Sequence, residues 1–246
     1  MNYHAFNGGI CGGRGTEAYS HSHLRMCSDS ALKKEESSGH CMRGSVYLLC
    51  GGRGAAAYQK TSQGHLLDFV ARQQRRVVRA TFSAELLGRC DTIDRGILLA
   101  QLLHEISTGD NSVTGAKQRR ENGGYDIPAV LYLDAMSVYA AVTASYIKIP
   151  ADNAMLSHVQ YVRELLDHKI VDGILWTDTR DMVADGATKG AVDRTLLHEC
   201  MAGNGCIRHE IKLWQPKVRP TNCNQIQLRQ FHLHFSSGHQ YSRINP

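Results

Sequence analysis

Four acidic residues stand where carboxylates could act together on a phosphodiester. Each lies at or after the end of a predicted strand, or in the first turn of a predicted helix: Asp29, Glu85, Asp134 and Asp185. Strand ends and helix starts can converge on one edge of a helix-covered sheet, where neighbouring carboxylates raise one another's pKa unless cations are bound. Mg²⁺ prefers such oxygen ligands. Two such ions ~3.5–4 Å apart can activate water and stabilise the leaving oxygen.

The spacing of these acids leaves alternatives open. The chain has 23 acidic residues, and a lone aspartate at a strand end is more often a turn or cap residue than a ligand. Asp178 and Asp181 compete with Asp185 for the fourth position, because Asp181 and Asp185 are four residues apart and fit one helix face. We interpret Asp178 and Asp181 as caps.

Hydrophobic patterns predict the elements that would position the acids. Five apolar segments predict strands over 23–28, 45–50, 66–72, 129–134 and 174–177. Apolar residues at helical spacing predict helices over 83–107, through 138 and 142, over 155–166 and over 182–201. The polar stretch 108–126 is predicted as a loop. This order indicates an α/β fold with a mixed five-stranded sheet flanked by helices.

Composition limits the class of protein. Of the 246 residues, 42% are hydrophobic and 21% charged, which argues against wholesale disorder. No apolar run approaches the ~20 residues that span a bilayer, and the start of the chain has no hydrophobic signal-peptide core. We predict a flexible Gly-rich leader over 1–22, one domain over 23–203 and a poorly structured tail over 204–246.

The order of several motifs resembles the ribonuclease H domain of copia-type retrotransposon Pol polyproteins, where it follows the reverse transcriptase. Segments 27–31 (CSDSA), 81–85 (TFSAE) and 131–134 (LYLD) resemble that family's first-strand motif, its S-T-E-A-E helix start and its Y-C-D strand end. Segment 157–159 (SHV) resembles its K-H-I-D helix. Segment 182–189 (MVADGATK) resembles its L-A-D-x-x-T-K box and is the most specific of these matches.

The resemblance implies a ribonuclease H-like fold and cleavage of the RNA strand of RNA–DNA hybrids. It implies two Mg²⁺ ions, with Mn²⁺ as a substitute, held by Asp29, Glu85, Asp134 and Asp185. Ala135 departs from the family's asparagine after the strand-end aspartate. The implied partners are an RNA–DNA hybrid and a reverse transcriptase domain encoded elsewhere. We therefore expect this chain to be a fragment or a detached copy of such an element.

A basic run before the long predicted helix is a candidate surface for nucleic acid. Its members are Arg72, Arg75, Arg76 and Arg79. They could contact phosphates of the hybrid in a salt-sensitive way, and the formal net charge of +5 permits a polyanionic partner. The alternative is a solvated edge strand whose charges deter aggregation.

Histidines and cysteines allow two further interpretations. A histidine near the acidic edge could pass a proton to the leaving group, and His158 and His168 are the candidates, although surface histidines are more common. A second pattern, H-x-C-x5-C-x2-H, has ligand types that suit Zn²⁺ but a spacing that fits no standard finger. Its members are His198, Cys200, Cys206 and His209.

Two other functions compete with the nuclease. A catalytically inactive retrotransposon relic would keep the fold and act as a nucleic-acid-binding or interaction module. An integrase or transposase on the same fold typically uses three acids and carries separate DNA-binding domains, which the sequence does not indicate. The charge-removing substitution Asp134→Asn separates an enzyme from a binding module, since only the enzyme needs that carboxylate.

Overall fold

The computed structural model describes residues 22–32, 40–51, 64–147, 149–206, 208–209 and 211–213. The predicted leader, apart from Ser22, and most of the predicted tail lie outside the described residues. The strands are β1 (Ser22–Ala31), β2 (His40–Gly51), β3 (Gly64–Val77), β4 (Ala129–Leu133), β5 (Gly173–Thr177) and β6 (Ile211–Leu213). The α-helices are α1 (Thr81–Thr108), α2 (Val113–Asn122), α3 (Met136–Thr143), α4 (Leu156–Asp167), α5 (Asp185–Thr188) and α6 (Thr195–Met201).

The strands form one mixed sheet in the order β3-β2-β1-β4-β5-β6. β1 pairs antiparallel with β2, and β2 with β3, whereas β4 runs parallel to both β1 and β5. The predicted α/β class, with a mixed five-stranded sheet flanked by helices, is confirmed over β1–β5 and is consistent with a ribonuclease H-like fold. β6 pairs antiparallel with β5 and lies within the segment predicted as a tail, so the sheet extends past residue 203.

Helices on both faces of the sheet bury its central strand. All five residues of β4 are buried, as its uninterrupted apolar sequence predicts for a strand covered on two sides. Leu131 and Leu133 pack in a core that includes residues of α1, α3 and α4. Val130 and Tyr132 pack in a second core that includes Cys200 of α6. Each such large apolar side chain contributes about 1.5–3 kcal/mol on burial.

Two glycines allow the helices α1 and α5 to approach the sheet closely. A Cβ on Gly88 of α1 would lie 2.3 Å from the Ser30 hydroxyl of β1. A Cβ on Gly44 of β2 would lie 2.8 Å from the carbonyl oxygen of Ala184, just before α5. Both distances are shorter than real Cβ contacts, so only glycine permits this packing without displacement. These contacts set the positions of α1 and α5 against the sheet.

Two segments differ from their predicted structure. Residues 108–126 were predicted as a loop but contain α2, whose N-terminal cap is the Ser112 hydroxyl accepting from the Gly115 amide at 3.1 Å. The predicted last helix over 182–201 is instead two short helices, α5 and α6.

Within the part of the chain that the structure describes, none of the helices has the combination of length and hydropathy that a membrane-spanning segment needs.

Candidate metal centre

Three of the predicted ligands converge at one edge of the sheet. Asp29 lies in β1, Asp134 directly follows β4, and Asp185 is the first residue of α5. One carboxylate oxygen from each lies within 4.8 Å of the other two. β1 and β4 are parallel neighbours, with Cys27 opposite Tyr132, so residues just beyond this pair reach the same edge. This group of three could hold a metal ion.

Local packing positions the two aspartates that lie outside the strands. The indole nitrogen of Trp176 on β5 donates a hydrogen bond of 2.9 Å to the carbonyl oxygen of Asp134. The Thr179 hydroxyl donates to Asp134 Oδ2 at 3.2 Å. Before α5, the side chains of Met182 and Val183 are buried in the sheet's second core. That anchoring places Asp185 at the surface edge of the core, where its side chain is 15% exposed.

The segment after Asp185 supplies two partners for the cluster. The Thr188 hydroxyl donates a hydrogen bond to Asp29 Oδ2. The Lys189 ammonium lies 2.7 Å from Asp185 Oδ1 and 3.7 Å from Asp29 Oδ2. Thr188 and Lys189 follow Asp185 by three and four residues, so one turn of chain brings all three to the same place. Lys189 therefore neutralises part of the charge of the aspartates.

Glu85, the fourth predicted ligand, does not join the group of three. Its carboxylate instead contacts the guanidinium of Arg89, one helical turn later in α1. The same guanidinium donates to the backbone oxygen of Glu85 at 3.0 Å and to Asp134 Oδ1 at 3.4 Å. Arg89 is fully buried, and it lies between the carboxylates of Glu85 and Asp134.

Crowding of like charges changes the protonation of the cluster. Burial, with the charge of Asp29 adding to it, raises the pKa of Asp134, and the charge of Arg89 only partly opposes this. Burial and the charge of Asp29 raise the pKa of Asp185 to about 6, despite the hydrogen bond from Lys189. Carboxylates that resist ionisation together are stabilised in their charged form by a bound cation. The electrostatics of the group therefore favour a cation ligand.

The charge of Arg89 survives its burial. Burial lowers the pKa of Arg89 to about 10, and the charges of Asp134, Asp29 and Asp185 oppose that decrease. The guanidinium therefore stays protonated at neutral pH. For Lys189, burial acts to lower the pKa, but the hydrogen bond to Asp185 and the charge of Asp29 outweigh it and raise the pKa. Two side chains of the acidic cluster, Arg89 and Lys189, therefore stay positively charged at neutral pH.

The two competing aspartates have other partners. Asp178 accepts a hydrogen bond from the Arg180 amide at 2.9 Å, as the cap of the short 3-10 helix Thr179–Asp181, so its predicted cap role is confirmed. Asp181 is buried and accepts from the backbone amides of Arg208 at 3.0 Å and His209 at 2.6 Å. It therefore holds the segment that precedes β6 and does not act as a helix cap.

The arginines predicted to bind phosphate belong to β3 and the residues just after it. β3 is an edge strand, and the four side chains on it and just after it are exposed: Arg72, Arg75, Arg76 and Arg79. Arg75 and Arg76 line an open groove of about 540 Å³ together with His158 of α4. None of the four predicted acidic ligands lines this groove. A role in nucleic-acid binding stays a prediction, and so does the interpretation as a solvated edge.

The histidine interpretation stays a prediction, and the zinc interpretation finds no support in the geometry of the described residues. The His158 ring lies 3.3 Å from the carbonyl oxygen of Ala154, and the His168 ring 3.0 Å from that of Glu121. In the described part of the chain, no three of the four predicted zinc ligands come together; these are His198, Cys200, Cys206 and His209.

Arg89 was the residue that sequence analysis missed. Its signal in the sequence is a basic residue four positions after an acid on a predicted helix, which is common on solvated helix faces. Thr188 and Lys189 were noticed only as part of the motif over 182–189 and were given no role. Searches for similar proteins add no evidence, because no model of a known protein family and no curated protein matches the chain.

Proposed function

We propose that this protein is a Mg²⁺-dependent endonuclease that cleaves the RNA strand of RNA–DNA hybrids. The observation that carries the proposal is the convergence of Asp29, Asp134 and Asp185 from three separate elements onto one edge of the sheet. The order of the motifs that resemble copia-type ribonuclease H domains supports it as well, because the three aspartates lie in three of those motifs.

The donor set suits a hard divalent cation. All three donors are carboxylates, which match the oxygen preference of Mg²⁺ and of Mn²⁺ as its substitute. A bound Mg²⁺ would supply Lewis acidity toward a phosphodiester and lower the pKa of a coordinated water. Asp29, Asp134 and Asp185 are the residues that would hold it.

Neighbouring side chains would orient these ligands and receive the substrate. Thr188 donates to Asp29 Oδ2, which leaves the other oxygen of Asp29 for a cation. On Asp134, Thr179 donates to Oδ2 and Arg89 to Oδ1, so a cation would use a remaining lone pair of these oxygens. Lys189 is the cation at the open side of the site, since its side chain is 36% exposed. With Asp185 serving as a metal ligand, the Lys189 ammonium would be available to pair with a backbone phosphate of the substrate.

The substrate class follows from the resemblance and from the charge distribution. Discrimination of RNA from DNA in the cleaved strand would rest on contacts to 2′-hydroxyls and on the groove shape of the hybrid. The exposed arginines on β3, including Arg75 and Arg76, would hold phosphates of the hybrid outside the site. A reverse transcriptase domain encoded elsewhere is the proposed protein partner.

A cleavage assay tests the proposal. Purified protein is incubated with Mg²⁺ and a labelled RNA–DNA hybrid, with single-stranded and double-stranded RNA of the same sequence as substrate controls. We expect hybrid-specific cutting that falls at least about a hundredfold in Asp134→Asn, because a direct ligand should matter more than the outer-shell residues that cost 10–100-fold. The matched control is Glu164→Gln, an exposed acid on α4. Equal cleavage by wild type and Asp134→Asn would contradict the proposal.

A non-catalytic nucleic-acid-binding module is the second candidate function. The observation that favours it is the pair of internal cations, Arg89 and Lys189, which already neutralise part of the acidic cluster. If the protein is only a binding module, the wild-type protein will not cleave the hybrid, and the Asp134→Asn variant will still bind it. Parallel binding and cleavage measurements on the same two proteins therefore separate the candidates.

A further inference from the structure

The Arg89 guanidinium lies between two of the four predicted ligands, Glu85 and Asp134. Two-ion phosphodiester sites hold their ions ~3.5–4 Å apart between shared carboxylates. Here the space between Glu85 and Asp134 is taken by a guanidinium that contacts the Glu85 carboxylate and lies 3.4 Å from Asp134 Oδ1. A cation and a metal ion cannot occupy the same position, so Glu85 is already used as the partner of Arg89.

Burial makes this arrangement permanent. The Arg89 side chain has no exposed surface, and its guanidinium also bonds the Glu85 carbonyl oxygen within α1. The preceding residue, Gly88, packs closely against Ser30 of β1. Removing one partner of a buried ion pair costs far more than the pair contributes. An incoming ion therefore cannot displace Arg89 as it can displace an exposed group.

Lys189 provides the contrast. Its side chain is 36% exposed, and its ammonium lies between Asp185 and Asp29, inside the group of three aspartates. Because the Lys189 side chain is partly exposed, its ammonium can leave the two carboxylates for solvent without becoming an unpaired buried charge. A divalent ion can therefore replace Lys189, whereas Arg89 stays in place.

The charge of the site agrees with one ion. Asp29, Asp134, Asp185 and Glu85 carry four negative charges, and Arg89 removes one of them permanently. One divalent ion would reduce the remaining three negative charges to one. A second divalent ion would find no free carboxylate pair.

We infer that the site binds one divalent cation, through Asp29, Asp134 and Asp185, and that Arg89 is a built-in counter-ion in the second position. The inference rests on the proposed function for the identity of the site. It differs from the two-ion arrangement that the resemblance implies, and it makes Glu85 a partner of Arg89 and not a metal ligand.

Counting bound Mn²⁺ tests the inference without any measurement of cleavage. Mn²⁺ is titrated into the full chain. Electron paramagnetic resonance distinguishes free from bound ions, and calorimetry is the second readout. We expect one Mn²⁺ per chain in wild type and two in Arg89→Met, where the guanidinium is gone and Glu85 is free. The control is Arg119→Met, which removes another mostly buried arginine, paired with Asp110 away from the site, and should leave the number at one.

A second variant covers the case in which Arg89→Met fails to fold. Glu85→Gln should still bind one ion, because Glu85 is not a ligand, whereas Asp134→Asn should lose it. Circular dichroism of each variant checks the fold. Two ions in wild type, or one ion in a folded Arg89→Met, would overturn the inference and leave the nuclease proposal intact. The nuclease proposal fails on a different result, namely one bound ion without hybrid cleavage.

Discussion

Replacing Asp185 with Asn tests whether repulsion between carboxylates destabilises the metal-free protein. Burial and the charge of Asp29 raise the pKa of Asp185 from its ordinary value of 3.8 to about 6. At 1.36 kcal/mol for each pH unit, this difference corresponds to about 3 kcal/mol. The side chain is partly exposed, and solvent screening reduces the figure to about 1–2 kcal/mol. The opposing effect of Lys189 is already contained in the net pKa.

The sign of the effect depends on pH. The folded protein holds the Asp185 proton more tightly than the unfolded chain, so ionisation of this carboxyl disfavours folding. The penalty is absent below about pH 4, grows between about pH 4 and pH 6, and is complete above that range. In EDTA at pH 8 we expect Asp185→Asn to raise the free energy of unfolding by about 1–2 kcal/mol, or the Tm by about 2–8 °C. At pH 4 we expect little change.

Metal should reverse the order of the two proteins. Mg²⁺ at a hundred times its Kd stabilises a protein that binds it only when folded by about 2.7 kcal/mol. Wild type should gain this amount, while Asp185→Asn, which lacks one of three ligands, should gain much less. Thermal and urea unfolding with EDTA or Mg²⁺ measure both effects, with Glu164→Gln as the control for removal of an exposed charge. A less stable Asp185→Asn at pH 8 in EDTA would refute the repulsion between carboxylates.

Two further predictions concern packing and nucleic-acid binding. Gly88→Ala should lower the free energy of unfolding by about 1–3 kcal/mol, because its Cβ would lie 2.3 Å from the Ser30 hydroxyl. Thermal unfolding measures this effect. The control is Gly190→Ala, whose Cβ meets nothing within 4 Å, and its stability should change little. Arg75→Gln should reduce the slope of log K against log salt for hybrid binding by about one, because one phosphate contact is lost. An unchanged slope, or an equal loss in the exposed control Arg120→Gln, would count against a specific role for β3.

Local sequence patterns predicted the parts of the fold that have a repeating apolar face. The continuous apolar run of β4 indicated a strand buried on both sides, and the spacing of apolar residues indicated α1 and α4. The same patterns missed α2, whose residues offer no apolar stripe. That helix is held by its Ser112 cap and by Arg119, which pairs with Asp110 at 2.7 Å. Such polar contacts leave no periodic signal in the sequence.

β6, at the edge of the sheet, is a second element that could not be predicted from the sequence. It consists of three residues, Ile211–Leu213, that pair with β5 through backbone hydrogen bonds. Backbone pairing uses groups that every residue carries, so a segment this short has no distinctive composition. The segment that leads to it is fastened by Asp181, which accepts from the Arg208 and His209 amides. Asp181 was predicted to be a cap because only its neighbours along the chain can be identified from the sequence.

The order of the strands and main helices could be predicted from the amino-acid sequence, as could the places of three aspartates at or near the ends of those elements. Hydrophobic periodicity and motif order are properties of short stretches of chain, and they are enough to predict the order of the elements and the places of these aspartates. Two contacts could not be predicted without the folded structure: Thr188 bonds Asp29, 159 residues away, and a buried Arg89 lies between Glu85 and Asp134. The charge of the site and its capacity for metal depend on distances between side chains from separate elements, because sheet pairing and helix packing set those distances.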